Sequence, residues 1–104
     1  KEMDINKLRI MIEKEQIFWR NHILVRMRQR GIRIADVINC INTGEIIESY
    51  KDDYPFPSAL ILGKNVDKSF LHLVCAEGQG KVWMITVYYP NTDEWMEDFK
   101  TRRK

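Results

Sequence analysis

Between residues 16 and 35 the chain has no acidic residue, and five arginines stand there instead: Arg20, Arg26, Arg28, Arg30 and Arg33. Other absences narrow what 104 residues can be. No apolar run approaches the ~18 residues that a membrane-spanning helix needs, so no membrane partner is expected. The first residues are charged (Lys1, Glu2, Asp4, Lys7) and carry no apolar stretch of the kind that marks a signal peptide. Met3 reads as the natural start, with Lys1 and Glu2 as added residues. Cysteine is scarce: Cys40 and Cys75 form no CxxC and lie in apolar surroundings. That is the pattern of two buried, reduced thiols in a cytoplasmic protein. The two histidines, His22 and His72, have neither HxH nor HExxH spacing, so no zinc site is expected, and no metal or cofactor with it. P-loop, GxGxxG and GxSxG patterns are missing, as are repeats, linkers and low-complexity segments.

What is present fits one domain spanning residues 1–104. The apolar content of 44% and aromatic content of 11% suit a globular core. The net charge of +2 is small, but its distribution is not even. Acids gather at residues 45–53 and 93–98, whereas the arginine-rich stretch and the tail (Lys100, Arg102, Arg103, Lys104) are basic. The molecule should therefore have a basic side. Arginine in place of lysine points toward phosphate, whose oxygens the guanidinium fork meets two at a time.

Periodicity supplies the elements. Ile5, Leu8, Met11 and Ile12 recur at helical spacing behind Asp4, a plausible N-cap. "IFWR" is a short extended piece. Asn21 can cap a second helix over residues 22–30, which Gly31 ends. A third helix follows, with Ile34, Val37, Ile38 and Ile41 as its apolar stripe and Gly44 as its close. The period then changes to two. "EIIESY", "SALILG", "SFLHLVCA" and "VWMITVYY" read as four strands separated by a two-proline turn, a second turn at residues 65–68 and the "EGQGK" hairpin. "NTDEWMEDFK" reads as a last short helix capped by Asn91 or Thr92. The expected fold is α+β: N-terminal helices packed on a four-stranded, mainly antiparallel sheet, with a short C-terminal helix.

Alternation assigns the faces. Leu71, Leu73 and Cys75 on one strand, and Trp83, Ile85, Val87 and Tyr89 on the next, are expected to meet the helices. The three tryptophans, Trp19, Trp83 and Trp95, are expected in the core. The opposite face then carries Phe70, His72, Val74, Met84, Thr86 and Tyr88. A half-apolar sheet face with imidazole, hydroxyl and phenol groups suits RNA, and equally suits a protein partner.

Chemistry concentrates in "NHILVRMRQRG", residues 21–31. Residues four apart share a helix face, so His22, Arg26 and Arg30 form a stripe beside the apolar Ile23, Leu24 and Met27. A histidine transfers protons near neutral pH. An arginine stabilises the extra charge of a pentavalent phosphorus. His72 and Tyr88 are the other candidates for proton transfer. Arg20, Arg28 and Arg33 extend the basic surface, and Thr86 offers a hydroxyl; these four are the expected RNA contacts.

The motif H-x3-RM-x2-RG-I (His22, Arg26, Met27, Arg30, Gly31, Ile32) is followed by "GEIIE-Y" at residues 44–50. Then come "DDYP", "LILG", "LHLV", "ITVYYP" and Trp95. In this order they resemble a family of small bacterial and archaeal proteins catalogued as a domain of unknown function, over about residues 17–96. Its members are often encoded beside a small zinc-finger protein of the YgiT/MqsA antitoxin type. They are thought similar to the barnase–EndoU–colicin–RelE ribonucleases, which include the RelE and MqsR toxins. The resemblance implies a RelE-like fold and a type II toxin that cleaves RNA without a metal, the 2′-hydroxyl attacking the adjacent phosphorus. It implies an mRNA substrate, free or on the ribosome, and a cognate antitoxin as partner. His22 and Arg26 match the family's His and Arg, Arg30 its second Arg, and His72 and Tyr88 recurrent strand positions. Two other classes stay open on the residues alone: a non-catalytic RNA- or ribosome-binding module, and a protein-interaction module.

Overall fold

The structure is a computed structural model that describes residues 3–104; the reading of Lys1 and Glu2 as additions lies outside the described residues. Three helices, α1 (Ile5–Glu13), α2 (Asn21–Arg30) and α3 (Ile34–Thr43), cover one face of a sheet. Its strands are β1 (Ile17–Trp19), β2 (Glu45–Tyr50), β3 (Ser58–Lys64), β4 (Phe70–Gly78) and β5 (Lys81–Tyr88), in spatial order β1-β5-β4-β3-β2. The fold is α+β as expected, but the sheet has five strands and is mixed. "IFWR" pairs in parallel with β5, Ile17 opposite Val82 and Trp19 opposite Met84, while the other neighbours are antiparallel.

Local chemistry explains the helix limits. The Asp4 side chain caps α1 by accepting from the Asn6 N–H. Asn21 is the first residue of α2 and not its cap; Arg20 holds the cap position in extended conformation, without a side-chain hydrogen bond. Gly31 closes α2 in the left-handed region at φ 68°, where glycine has no Cβ penalty. Arg33 and Asp36 begin α3: the buried Asp36 carboxylate accepts from the Arg33 backbone N–H at 2.9 Å.

Leu8, Ile23, Met27, Val37 and Ile41 from the helices meet Ile61, Leu71, Leu73, Cys75, Val82, Met84 and Val87 from the sheet. Two expected helix-facing residues lie outside this core: Leu24 and Ile34 are exposed. The expected face of β5 also needs correction. Cys75 pairs with Met84 but Val74 pairs with Thr86, leaving Ile85 as the extra residue of a bulge. A bulge shifts the side-chain phase by one. Met84 therefore faces the helices, and Trp83 faces away from them against Phe18 and Phe56. Trp19 packs partly on the core, and Trp95 is buried on the other side of the sheet.

The C-terminal helix is absent. Residues 90–104 form a strap of turns with one bridge, Trp95 to Arg102. The Asn91 side chain accepts from the N–H groups of Asp93 and Glu94, and the Asp98 side chain from those of Lys100 and Thr101. Such side-chain turns compete with helix formation, and Phe99 at φ 57° turns the chain back.

Candidate nucleic-acid interface

Helix α2 buries Ile23 and Met27 against the sheet and turns its remaining length outward. His22 and Arg26 are exposed one turn apart on that outer surface. Among the described residues, neither side chain has a hydrogen bond or an ion pair, and Arg20 and Arg28 are likewise unengaged. Arg30, the third member of the stripe, is held: its Nη1 donates to the Val87 carbonyl at 2.8 Å. β1 pairs with β5 only as far as Met84, so beyond it that edge of β5 is open, and Arg30 covers part of it. One guanidinium donor is used there, and four remain. Arg33 differs, because its guanidinium is committed to Asp36 at 3.3 Å and lies 3.7 Å from Asp67.

His72 and Tyr88 lie on the outer face of the sheet, opposite the helices, directly across from one another on β4 and β5. The strap closes over them. Trp95 meets the His72 ring edge-on at 4.5 Å, and Phe99 packs on Phe70 at 5.6 Å. His72 has no solvent exposure. Its Nε2 lies 2.8 Å from the Phe99 carbonyl oxygen and its Nδ1 3.2 Å from the Tyr88 hydroxyl. A carbonyl only accepts, so Nε2 carries the proton, and in the neutral ring Nδ1 accepts from the Tyr88 O–H. Burial lowers the imidazole's pKa, against the opposing effects of the Phe99 carbonyl and Glu48. Burial also raises the Tyr88 phenol, so both groups stay neutral at pH 7.

Salt bridges pin the strap to β2. Arg102 donates to both oxygens of Glu48 at 2.8 and 3.0 Å while its guanidinium covers Trp95 at 4.5 Å, and Lys100 meets Glu45 at 2.8 Å. Arg102 holds the Glu48 carboxyl below its ordinary range, and burial with Glu48 pushes the neighbouring Tyr50 up to about 12. The thiols of Cys40 and Cys75 are buried and free, and burial pushes both up to about 12. At neutral pH neither is a nucleophile.

The five expected proton-transfer and phosphate residues thus fall into two groups. His22, Arg26 and Arg30 share α2, and His72 with Tyr88 sits across the sheet beneath the strap. Thr86, on the outer face next to Val74, lies between the covered and the open parts of that face. The residues that close the site (Glu48, Trp95, Phe99, Arg102) carry no periodic signal. The turn-forming Asn91 and Asp98 were the available cue. Among the described residues, no helix is long and apolar enough to cross a membrane, and no three His, Cys, Asp or Glu side chains converge.

A family model, Domain of unknown function (DUF4258), matches residues 19–89. The chain belongs to this family. No curated protein and no solved structure matches it. The DUF4258 match runs from Trp19 at the end of β1 through β5, and so takes in α2 and the pairing of His72 with Tyr88. Helix α1 and the strap fall outside the matched residues.

Proposed function

We propose that this DUF4258 protein is a metal-independent endoribonuclease, the toxin of a type II toxin–antitoxin pair, acting on single-stranded RNA through α2. The observation that carries the reading is an exposed imidazole and an exposed guanidinium, His22 and Arg26, one helical turn apart and free of protein partners among the described residues. An unpaired guanidinium is a receptor for phosphate, and an unpaired imidazole beside it can exchange a proton. In the proposed reaction His22 takes the proton of a ribose 2′-hydroxyl, whose oxygen bonds to the adjacent phosphorus. The bond from phosphorus to the 5′-oxygen breaks, and that oxygen takes a proton from solvent. A 2′,3′-cyclic phosphate and a 5′-hydroxyl result. Arg26 and the free donors of Arg30 stabilise the pentavalent phosphorus. His72 and Tyr88, across the sheet from this site, hold the strap on β4 and β5 in place of a direct role, because both imidazole nitrogens are engaged. The H-x3-RM-x2-RG pattern carries the resemblance to a family whose members are thought similar to RelE- and MqsR-type toxins, and that likeness supports the toxin assignment. It also supports an antitoxin partner, a zinc-finger protein of the YgiT/MqsA type. Two buried reduced thiols support a cytoplasmic location.

The burial of His72 favours one second reading, an RNA- or ribosome-binding module without cleavage, since it withdraws one of two histidines from chemistry. Incubating the protein with labelled single-stranded RNA in EDTA separates the two. Cleavage to cyclic-phosphate ends that is lost in His22→Ala and Arg26→Ala, and kept in His72→Gln, supports the ribonuclease. RNA binding that Arg26→Ala weakens, with no product at any time, selects the binding module. Neither binding nor cleavage overturns both.

A further inference from the structure

The bulge at Ile85 has turned Trp83 onto the outer face, at the end of the sheet that the strap leaves open. Three rings gather there. Trp83 lies 4.8 Å from Phe18 of the neighbouring β1 and 5.5 Å from Phe56 of the two-proline turn. The indole is fixed, its Nε1 donating to the Gly78 carbonyl at 2.9 Å, so its one polar group is satisfied and its ring position is set by the hairpin. Gly78 also makes room: a Cβ there would overlap the Phe56 ring. Yet the cluster is not core, for Phe18 is 42% exposed and Trp83 and Phe56 are only half-buried.

Cations flank the rings. The Lys81 ammonium stands over Trp83 at 6.0 Å, and Arg20, two residues after Phe18 in extended backbone, is exposed and unengaged among the described residues. Of the acids on this side, Glu45 and Glu48 are paired with Lys100 and Arg102, and Asp53 of the two-proline turn accepts from the Ser58 hydroxyl at 2.6 Å. Fixed, partly exposed rings flanked by cations match a chain of alternating flat bases and phosphates.

We propose that Phe18 and Trp83, flanked by Arg20 and Lys81, form a stacking subsite for the unpaired bases of a single-stranded RNA. The proposal deepens the RNA reading of α2 and rests on it. Arg20 lies at the β1 edge between Phe18 and the start of α2, so a strand that runs from the rings to His22 and Arg26 passes round that edge. The subsite reads base planes and not base edges, so it selects unpaired over duplex RNA with little sequence preference.

The test is the binding of a short 2′-O-methyl RNA strand, which cannot be cleaved, against the same backbone with abasic positions, followed by fluorescence anisotropy at low salt. Stacking predicts that the wild-type chain prefers the base-bearing strand by roughly 5- to 150-fold per stacked base. Trp83→Phe keeps most of that preference. Phe18→Ala with Trp83→Ala abolishes it while abasic binding persists, and Arg26→Ala weakens both strands alike. Equal affinity of the wild-type chain for both strands, still sensitive to Arg26→Ala, overturns the stacking subsite and leaves the α2 reading standing. A preference that survives removal of both rings overturns it too. Binding of neither strand overturns both readings and returns the rings to a protein-docking face.

Discussion

His72 sits where an imidazole can be neutral but not comfortably charged. Tyr88 approaches from β5, Trp95 and the Phe99 carbonyl from the strap, and Glu48 and Arg102 supply the nearest charges. Burial is the largest influence and lowers the folded pKa. The unfolded chain then takes up the proton more readily than the folded one. The stability this confers is complete above the unfolded value of about 6.5 and is lost as pH falls through it toward the folded value. Glu48, held low by Arg102, contributes its loss in a more acid range, below the unfolded carboxyl value of about 4.3. Between pH 7.5 and 5, therefore, the thermal midpoint of the wild-type chain should fall more steeply than that of His72→Gln. Parallel curves for the two proteins would remove His72 from the explanation. A second residue is fixed by contact. Gly63 lies so close to α3 that a Cβ would overlap the Cys40 carbonyl. The obstacle is backbone and cannot swing away, so Gly63→Ala should cost about 3 kcal/mol or more in denaturant unfolding.

One carboxylate joins two elements. Asp36, 1% exposed, accepts from the Arg33 N–H at the start of α3 and from the Val66 N–H at 3.0 Å in the β3–β4 turn. Burial raises its pKa, but these two N–H groups and the Arg33 guanidinium outweigh burial and leave it low. Asp36→Ala orphans both N–H groups and should cost about 2–4 kcal/mol by urea midpoint at unchanged slope. Asp36→Asn, which keeps one acceptor, should cost less; equal costs would mean that the hydrogen bonds are not what Asp36 supplies. The elements themselves were largely legible in the sequence. The spacing of Leu8, Met11 and Ile12, of Ile23 and Met27, and of Val37 and Ile41 gave three helices with the right buried faces. Alternation in β3 and β4 gave the strands. What failed were single events that periodicity does not encode. One extra residue, Ile85, reversed the phase of half of β5 and hid the exposure of Trp83. A three-residue strand, β1, was too short to announce a parallel partner far along the chain. Asn91 and Asp98 diverted a helix-like run into turns. The basic stripe of the candidate site was readable because helical spacing alone creates it. The separation of His72 from it was readable too, because alternation puts His72 on the sheet face opposite the helices; its burial beneath the strap was not, because the strap residues carry no periodic signal.

The whole molecule is asymmetric across its sheet. One face is filled by three helices; the other is divided between the strap over Leu60, Leu62 and His72 and the open rings beyond Thr86. The strap's exposed acids, Asp93, Glu94, Glu97 and Asp98, are balanced by Lys100, Arg102, Arg103 and Lys104, so the strap adds no net charge to that side. What holds the strap decides whether it is a fixed wall or a loose one. Its ion pairs, Arg102 with Glu48 and Lys100 with Glu45, are largely solvent-exposed, and such pairs contribute at most about 1 kcal/mol each. Trp95 is 1% exposed and packs against His72, and truncating a buried tryptophan costs about 3–5 kcal/mol. The ring should therefore outweigh the charges. Arg102→Ala should lower stability by about 1 kcal/mol and leave the strap resistant to limited proteolysis. Trp95→Ala should lose about 3–5 kcal/mol and open residues 91–103 to cleavage while residues 19–89 stay intact. Should Arg102→Ala free the strap as completely as Trp95→Ala does, the latch is electrostatic. Its hold should then weaken as salt is raised from 0.05 to 0.5 M, a dependence that a buried ring does not produce.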